Sequence, residues 1–482
     1  MDDVMCFLIQ AILNRALFPC QDTPAVKTPY TATVRAPAQL TVLMSALSEE
    51  DGPKPAREGR CCEWTFRQPI AIPSYLVAFA VGDLESRDIG PRSRVFAEKE
   101  HIDRAAFDFS ETEAKLRTAE ELCGPYLWSR YDILVLPPSF AYGGMENPCL
   151  TFVTPTLLTG DKSNTWVIAH EIAHSWTGNL ITNSNWEHFW LNEGFTVFIE
   201  RKIAGRLDGD PVRHFNTLLK WHELEECVNE EFSPDHEFTK LVPNLTGVDP
   251  DDAFCRVPYE KGSTFLWYLE ELVGGPSKFE PFLKSYFTTF AHKSLDTAQF
   301  RDYFLTYYKG TAAVTSIDWA TWLHSPGMPP YKPSLDTSMA AACWSLADKW
   351  VFWDQHAVSD CDIDISSLSP PQVQEFLSTL IQKPKLKPDT VAKMDELYQF
   401  SSSSNCNILY GFLRLGLKCR WEPAVELSLR FLGTMGRLHY TKPLYRELAR
   451  WPEKKPVAAK FFNDHKHLLM SAVVDAVSKD LN

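Results

Sequence analysis

Residues 170–174 read HEIAH and carry the residue types and the spacing of a metal site on a helix. Residues four apart lie on one face of an α-helix, so His170 and His174 can reach the same ion. The surrounding run, 166–176, is apolar on nearly every side and predicts a buried helix. An unpartnered Glu171 would be costly there, and a bound cation removes that conflict. The HExxH pattern arises by chance in roughly one chain in 40, so it is weak evidence for a metal site when it stands alone. A correctly spaced third ligand would strengthen that evidence.

Glu193 is the predicted third ligand. Zinc takes imidazole nitrogen and carboxylate oxygen, and a catalytic site keeps three protein ligands with water in the fourth position. Glu193 follows His174 after 18 intervening residues, which is enough for the first helix to end near Gly178 and a second to begin. The spacing therefore predicts one Zn²⁺ per chain, held by His170, His174 and Glu193. Glu200, one heptad later, is either a hydrogen-bond partner of a ligand or an exposed residue on the helix face.

Glu171 is the predicted general base of this site. Zinc lowers the pKa of a bound water to about 7, so a carboxylate can take its proton at neutral pH. The resulting hydroxide attacks a carbonyl, and Glu171 then protonates the leaving amine. Tyr259, in the run VPYEKG, is the candidate donor to the developing oxyanion. On residue type alone, Tyr259 would more often be a core or surface tyrosine.

The chain divides into regions of different character. Residues 1–82 carry β signals, including alternation at 30–34 and an extended run at 75–81, whereas 83–325 mix helix and strand. The proline-rich stretch 326–336 predicts a linker. In 337–482 helical periodicity dominates, and one predicted helix has apolar residues at Val373, Phe376, Leu377, Leu380 and Ile381 behind a cap at Ser369, Pro370 and Gln372. These patterns predict an α+β multidomain protein with an all-α C-terminal domain.

The composition excludes some classes of function. With 482 residues and a net charge of −14, the chain has the size of two or three domains and no excess of basic residues for nucleic acid. No apolar stretch approaches 18 residues, so no membrane span is expected. The twelve cysteines contain no CxxC pair, and the apolar start at 4–13 lacks the features of a signal peptide. We expect reduced thiols and a cytoplasmic location.

A second motif, GGMEN, consists of Gly143, Gly144, Met145, Glu146 and Asn147. Together with HExxH and the third Glu it resembles the gluzincin family of zinc aminopeptidases, over essentially the whole chain. The resemblance implies a thermolysin-like mixed α/β catalytic domain between a β domain and a C-terminal helical-repeat domain. It also implies that the GGME residues contact a short peptide substrate and that Glu146 binds its free α-amino group. A carboxylate at the end of a blind cleft pairs with an ammonium and excludes internal peptide segments. Without the family, the two glycines before Glu146 would more often be a plain turn.

Three further positions match substrate-binding residues of family members that also open a fatty-acid epoxide. The resemblance implies that Gln10 contacts substrate, that Arg437 holds a substrate carboxylate and that Asp251 directs water to the epoxide. Taken alone, Arg437 would more often be a solvated surface residue. Two positions depart from the family pattern: Phe254 replaces Tyr and His439 replaces Lys. Because His439 is only partly charged near neutrality, carboxylate binding should be weaker and pH-dependent.

The beginning of the chain also departs from the family. The resemblance implies that residues 1–82 represent a partial N-terminal β domain, whose sheet edges and apolar faces would be uncovered. We therefore keep two hypotheses. The first is a zinc aminopeptidase with a second activity on a fatty-acid epoxide. The alternative is a catalytically impaired binding or scaffold protein, which zinc content would distinguish from the enzyme.

Overall fold

The computed structural model describes residues 5–7, 12–49, 52–56, 60–356 and 363–481. By the density of its internal contacts the chain groups into two compact units. The first consists of Met1–Leu134, Gly144–Phe152 and Trp166–Leu335. The second consists of Val135–Gly143, Val153–Thr165 and Asp336–Asn482. The domain boundaries expected from the sequence stay a prediction.

The N-terminal region of the first unit forms two small antiparallel sheets. Their strands are β1 (Met5–Phe7), β2 (Lys27–Pro37), β3 (Thr41–Met44), β4 (Leu47–Ser48), β5 (Lys54–Pro55), β6 (Cys61–Pro73) and β7 (Phe79–Gly82). The strand orders are β1-β7-β3 in one sheet and β2-β6-β4 in the other, where β5 also pairs with β6. Along β2 the half-buried Tyr30, Ala32 and Val34 alternate with exposed threonines, as predicted. Val42, Met44 and Phe66 lie in the shared apolar cluster, so the described strands bury a core.

One part of the strand prediction was wrong. The extended run expected at 75–81 begins with a 3-10 turn, Ser74–Leu76, and the strand starts only at Phe79. Pro73 precedes the turn and has no backbone N–H to continue a ladder. Tyr75 is buried, and its hydroxyl donates to the carbonyl of Gly178, 3.4 Å away. A tertiary contact therefore takes the place of strand pairing.

A five-stranded sheet and a set of helices complete the first unit. The sheet has the order β11-β12-β10-β9-β8, with β8 antiparallel and β10 parallel to β9. Its strands are β8 (Glu85–Gly90), β9 (Ser93–Ala97), β10 (Asp132–Val135), β11 (Gly144–Met145) and β12 (Leu150–Val153). The helices are α1 (Ile102–Asp108), α2 (Thr112–Cys123), α3 (Trp166–His174), α4 (Trp190–Asp208), α5 (Asp210–Glu226), α6 (Val257–Leu272), α7 (Pro276–Phe290), α8 (Thr297–Tyr307) and α9 (Trp319–His324). Two short strands, β13 (Thr182–Asn183) and β14 (Ser294–Leu295), pair in parallel. Helix α4 packs against both α3 and α6.

Helices dominate the second unit, as the sequence predicted. They are α10 (Ser338–His356), α11 (Pro370–Gln382), α12 (Pro388–Tyr398), α13 (Cys406–Lys418), α14 (Pro423–Leu432), α15 (Leu438–Ala449), α16 (Lys455–His465) and α17 (Ser471–Leu481). Helix α11 starts with the expected capping box, in which Gln372 Oε1 accepts from the N–H of Ser369 at 3.0 Å. Among the described helices none is long and apolar enough to cross a membrane. The expected cytoplasmic location stays a prediction.

Candidate metal centre and active site

The structure brings the three predicted ligands together. Glu193 Oε2 lies 3.3 Å from His170 Nε2 and 3.5 Å from His174 Nε2. The two ring nitrogens are 3.1 Å apart. Helix α3 supplies both imidazoles from one face, and Glu193 lies in the first turn of α4. Two packed helices therefore direct three metal-binding atoms toward one point.

The chemistry of these atoms fits a zinc ion. Imidazole nitrogen and carboxylate oxygen are ligands that zinc prefers, and three of them leave one position for water. Although Glu193 Oε2 is buried beside both rings, it has no hydrogen bond of good geometry among the described residues. Buried polar atoms are almost always paired, so converging atoms without such a bond fit a site for a cation.

Outer hydrogen bonds orient both imidazoles. His170 Nδ1 lies 3.0 Å from Glu200 Oε2, and His174 Nδ1 lies 2.9 Å from the carbonyl oxygen of Thr177. A carbonyl or carboxylate oxygen only accepts, so each Nδ1 carries the proton and each Nε2 keeps its lone pair for a metal. Of the two readings left open for Glu200, the structure supports the hydrogen-bond partner.

Thr196 and the carbonyl of Thr177 were not predicted from the sequence. Thr196 Oγ1 lies 3.0 Å from His174 Nδ1 and 3.1 Å from the Thr177 carbonyl oxygen. Thr196 follows Glu193 by three residues on α4, so helical spacing offered a signal for it. A backbone carbonyl such as that of Thr177 has no residue-type signature.

The electrostatics of the site show what its charges do when no cation is bound. Burial opposes ionisation of Glu193, but the adjacent His174 and His170 lower its pKa to about 2. Burial also disfavours the charged form of His174, yet Glu146 and Glu193 raise its pKa to about 9. The pKa of His170 is raised by Glu193 and Glu200 against the same burial. The protein thus compensates its buried carboxylates with protons, and a bound zinc ion would displace those protons.

Glu171 is buried, and its Oε2 has no hydrogen-bond partner among the described residues. Burial raises its pKa to about 8, and nearby positive charge, such as that of a zinc ion, would lower the pKa toward the carboxylate form that a base needs. The backbone of β11 passes directly over this carboxylate, because a Cβ atom built on Gly144 would lie 2.2 Å from Glu171 Oε1. The second glycine of GGMEN therefore leaves the room that Glu171 occupies.

Glu146 lies beside Glu171 and His174. Ligand atoms of Glu146, Glu171 and His174 all lie within 4.8 Å of one another. The backbone carbonyl of Glu146 accepts a hydrogen bond from Asn179 Nδ2 at 2.7 Å. Met145, the other residue of β11, is half-buried. A second carboxylate next to the metal-binding atoms is what recognition of a substrate ammonium requires.

Tyr259 lies beside His170. Its ring stacks on the imidazole with centroids 6.2 Å apart and planes 18° apart. Burial and the charge of Glu193 raise the pKa of Tyr259 well above its usual range. The phenol therefore keeps its proton at neutral pH and can donate a hydrogen bond.

Asp251 lines a small cleft that is open to solvent on one side. Most of the other residues of this cleft are apolar or aromatic, among them Trp186, Phe189, Phe238, Leu241 and Phe254. Burial, together with Asp249 and Asp252, raises the pKa of Asp251 to about 6. The cleft thus places the carboxylate of Asp251 at a largely apolar wall, which also includes the charged side chains of Glu187 and Lys240.

Arg437 and Gly143 belong to the second unit. Arg437 Nη1 donates to Thr156 Oγ1 at 3.1 Å and to the hydroxyl of Tyr440 at 3.2 Å, and its Nη2 would lie 2.8 Å from a Cβ on Gly143. His439 packs its ring against Tyr410, with centroids 5.3 Å apart. Gln10 lies outside the described residues. The substrate-binding roles expected for Arg437, Gly143 and Gln10 stay predictions.

Three family models match this chain. The Peptidase M1 N-terminal domain matches residues 4–76, the Peptidase family M1 domain matches 107–322, and the C-terminal domain of leukotriene A4 hydrolase matches 368–481. The chain is 44% identical to leukotriene A-4 hydrolase of Xenopus laevis over 475 residues, covering 98% of this chain and 78% of the relative. It is 41% identical to leucine aminopeptidase 2 of Coccidioides immitis, over 98% of this chain and 76% of that protein.

Solved structures agree with these matches. The structure of yeast LTA4 hydrolase in complex with bestatin superposes with a TM-score of 0.91 at 37% identity, covering 100% of this chain and 80% of the yeast chain. An M1 zinc metallopeptidase from Deinococcus radiodurans shares the fold at 22% identity, with a TM-score of 0.54 over 69% of this chain and 72% of its own.

Proposed function

We infer, from the premise that this chain belongs to the M1 family of zinc peptidases, that it removes N-terminal residues from short peptides with one zinc ion per chain. The observation that carries this proposal is the convergence of His170, His174 and Glu193, with the carboxylates of Glu171 and Glu146 beside them. The first three supply a metal site and the last two supply a base and an anchor for an ammonium.

Each side chain has a separate role in the proposed reaction. A zinc ion held by His170, His174 and Glu193 would supply a water of lowered pKa and would polarise the substrate carbonyl. Glu171 takes the proton of that water on its unpartnered oxygen and returns it to the leaving amine. Tyr259, which stays protonated, donates to the oxygen on which negative charge develops.

Glu146 determines which peptide bond is cut. Its carboxylate pairs with the free α-ammonium of the substrate, and this pairing holds the first carbonyl of the peptide near Glu171. An internal segment of a protein lacks that charge and would leave the buried carboxylate of Glu146 unpaired, which is costly. The arrangement therefore favours an exopeptidase over an endopeptidase.

Replacement of Glu171 by Gln tests this function. We expect Glu171→Gln to lower kcat/KM on aminoacyl substrates by at least about 10²-fold, because the general base is removed. Zinc content should stay at that of the wild type, because Glu171 is not a ligand. Glu426→Gln, at an exposed glutamate of α14, is the matched control and should keep full activity. Activity of Glu171→Gln at the wild-type level would reject the mechanism.

Zinc content separates the enzyme from the alternative of a binding or scaffold protein. Metal analysis of the purified protein should give a zinc to chain ratio close to one. A protein purified with zinc present that retains no stoichiometric metal cannot follow this reaction, and the scaffold alternative would then replace it.

The apolar cleft supports a second activity, hydrolysis of the epoxide leukotriene A4 to leukotriene B4. The apolar side chains of the cleft can contact a fatty-acid chain, and Asp251 among them can accept a proton from a water that attacks the opened epoxide. This role needs the carboxylate form, so conversion should fall as the pH drops through about 6, where Asp251 becomes protonated.

Incubation with leukotriene A4 tests the second activity. We expect the dihydroxy product from the wild type and at least about a tenfold loss with Asp251→Asn, while peptide cleavage by the same variant is retained. Cleavage of peptides without any dihydroxy product would reject the epoxide hydrolase proposal and leave the aminopeptidase intact.

A further inference from the structure

A lysine from the N-terminal strands holds the loop that follows the metal-binding helix. Lys27, the first residue of β2, donates from Nζ to the carbonyl oxygens of Asn179 at 3.0 Å and Leu180 at 2.8 Å. These carbonyls lie just beyond α3, 152 and 153 positions along the chain from Lys27. One ammonium therefore joins β2 to the loop after the HExxH helix.

The environment of Lys27 shows that these two bonds are important. Burial lowers the pKa of Lys27 to about 7. Desolvating a lysine destabilises its charged form, and such residues are kept only where their N–H groups find acceptors. Both acceptors here are backbone carbonyls, so an apolar side chain at position 27 would leave them without this donor.

Asn179 connects this contact to the active site. Its backbone N–H donates to the carbonyl of His174 at 3.1 Å, and its side-chain Nδ2 donates to the backbone carbonyl of Glu146 at 2.7 Å. Asn179 thus contacts His174, a predicted metal ligand, and Glu146, the proposed anchor of the substrate ammonium.

A neighbouring contact holds the same loop. The hydroxyl of Tyr75 donates to the carbonyl of Gly178 at 3.4 Å, and Asn192 Nδ2 donates to that hydroxyl at 3.3 Å. This contact is longer than the bonds of Lys27 and does not involve Asn179. Lys27 therefore holds the backbone carbonyl of Asn179, whereas the backbone N–H of Asn179 is held by His174.

We propose that Lys27 is a positioning residue for the aminopeptidase reaction, acting through Asn179 to hold Glu146 where it meets the α-ammonium of the substrate. This inference rests on the proposed function, since it takes Glu146 as the ammonium anchor. Lys27 itself does not touch substrate. Loss of its two hydrogen bonds would release the Asn179 backbone, and Glu146 would then contact the ammonium in a less favourable geometry.

Two inhibitors that differ by one amino group separate this role from a purely structural one. Leucine hydroxamate carries the α-amine, and 4-methylpentanoic hydroxamate lacks it, while both offer the same metal-binding group and the same apolar side chain. Glu146 should favour the first inhibitor in the wild type. A general loss of stability would lower the amount of active enzyme without changing either Ki.

For Lys27→Met, we expect KM for aminoacyl substrates and Ki for leucine hydroxamate to rise about tenfold, a loss of about 1.4 kcal/mol. The Ki of the des-amino inhibitor should stay within about twofold. Each rate is divided by the concentration of zinc-loaded enzyme, so that a smaller amount of folded protein does not change the comparison. Lys54→Met, at an exposed lysine of β5, is the control and should behave as wild type.

Lys27→Gln keeps an N–H donor of shorter reach and should give an intermediate Ki for leucine hydroxamate. It also serves in place of Lys27→Met if that protein does not fold. Equal effects on both inhibitors, or no effect on either, would overturn the proposal for Lys27 and leave the proposed function standing. A wild type that does not distinguish the two inhibitors would overturn the role of Glu146 and, with it, this inference.

Discussion

Glu171 depends on a residue that has no side chain. A Cβ atom on Gly144 would lie 2.2 Å from Glu171 Oε1 and 2.5 Å from its Cδ, far inside van der Waals contact. The φ angle of Gly144 is not in the left-handed region, so the requirement is for space. Gly144, a residue of the GGMEN motif, thus shapes the position of the proposed general base, in addition to any contact with substrate.

Gly144→Ala should therefore remove most activity without unfolding the protein. The added methyl group displaces the Glu171 carboxylate, and we expect kcat to fall by about 10²-fold, as for loss of a general base. Zinc content should be unchanged because the ligands are untouched. Gly90→Ala is the control, since its Cβ would meet only ordinary contacts beginning at 3.4 Å. A fully active Gly144→Ala enzyme would show that Glu171 tolerates another position.

Residue types predicted the centre of the site better than its surroundings. His170, His174 and Glu193 could be found because one helix face and one spacing bring them together. The sequence left two roles open for Glu200, and it did not predict the contacts of Asn179 with Lys27 and Glu146. Asn179 acts through a backbone carbonyl of Glu146, and such bonds depend on the tertiary path of the chain.

At the scale of elements, the crossing of α4 and α6 sets the geometry of the site. A Cβ on Gly194 would lie 2.8 Å from Gly262 Cα, so the two backbones touch at these glycines. Glu193 directly precedes one of them, and Tyr259 lies three residues before the other. The buried ion pair between Arg201 and Glu260, with 2.5 Å between Nη2 and Oε2, joins the same helices. The close approach therefore places the third ligand beside the proposed oxyanion donor.

Gly262→Ala should separate these helices. Its Cβ would lie 2.9 Å from Gly194 Cα, and overpacking of this kind costs about 1–3 kcal/mol of the free energy of unfolding. Urea unfolding measures that loss, and kcat should fall with it because Tyr259 moves relative to Glu193. Gly90→Ala again serves as the control, because the nearest atom to its Cβ would lie at an ordinary contact distance of 3.4 Å. Unchanged stability of Gly262→Ala would contradict a tight crossing.

The sequence predicted these elements individually, but it did not predict how they cross. Apolar periodicity and a capping box gave α11, and alternation gave β2. The contact between Gly194 and Gly262 joins residues 68 positions apart, and each glycine taken alone reads as a weak point in a helix. The 3-10 turn at Ser74–Leu76 was missed for a similar reason, because a distant carbonyl holds Tyr75.

At the scale of the whole molecule, the N-terminal strands contribute directly to the active-site region of the first unit. The sequence suggested that residues 1–82 form a partial β domain with uncovered sheet edges and apolar faces. The described part of this segment packs a core around Val42, Met44 and Phe66. Through Lys27 and Tyr75 it also holds the loop after the metal-binding helix. Local patterns could not reveal contacts between positions more than 100 residues apart.

Zinc should stabilise the molecule to an extent that depends on pH. Without the cation, the raised pKa of His174, about 9, lies above the ordinary value of 6.5. Proton binding by this imidazole therefore stabilises the metal-free fold fully below pH about 6.5, and this contribution is lost as the pH rises through about 9. Zinc binds the deprotonated imidazole, so it competes with that proton. The stabilisation of the fold by bound zinc is therefore largest at high pH.

We therefore expect chelation of zinc to lower Tm by several degrees, with a difference between the loaded and chelated proteins that widens from pH 6 to pH 9. Differential scanning calorimetry at three pH values measures that difference, and added zinc should restore the higher Tm. His174→Gln, which loses a ligand, should show little response to the chelator at any pH. A difference that narrowed as the pH rose would mean that protons and the cation do not compete for His170 and His174, contrary to the geometry in which both imidazole Nε2 atoms face Glu193.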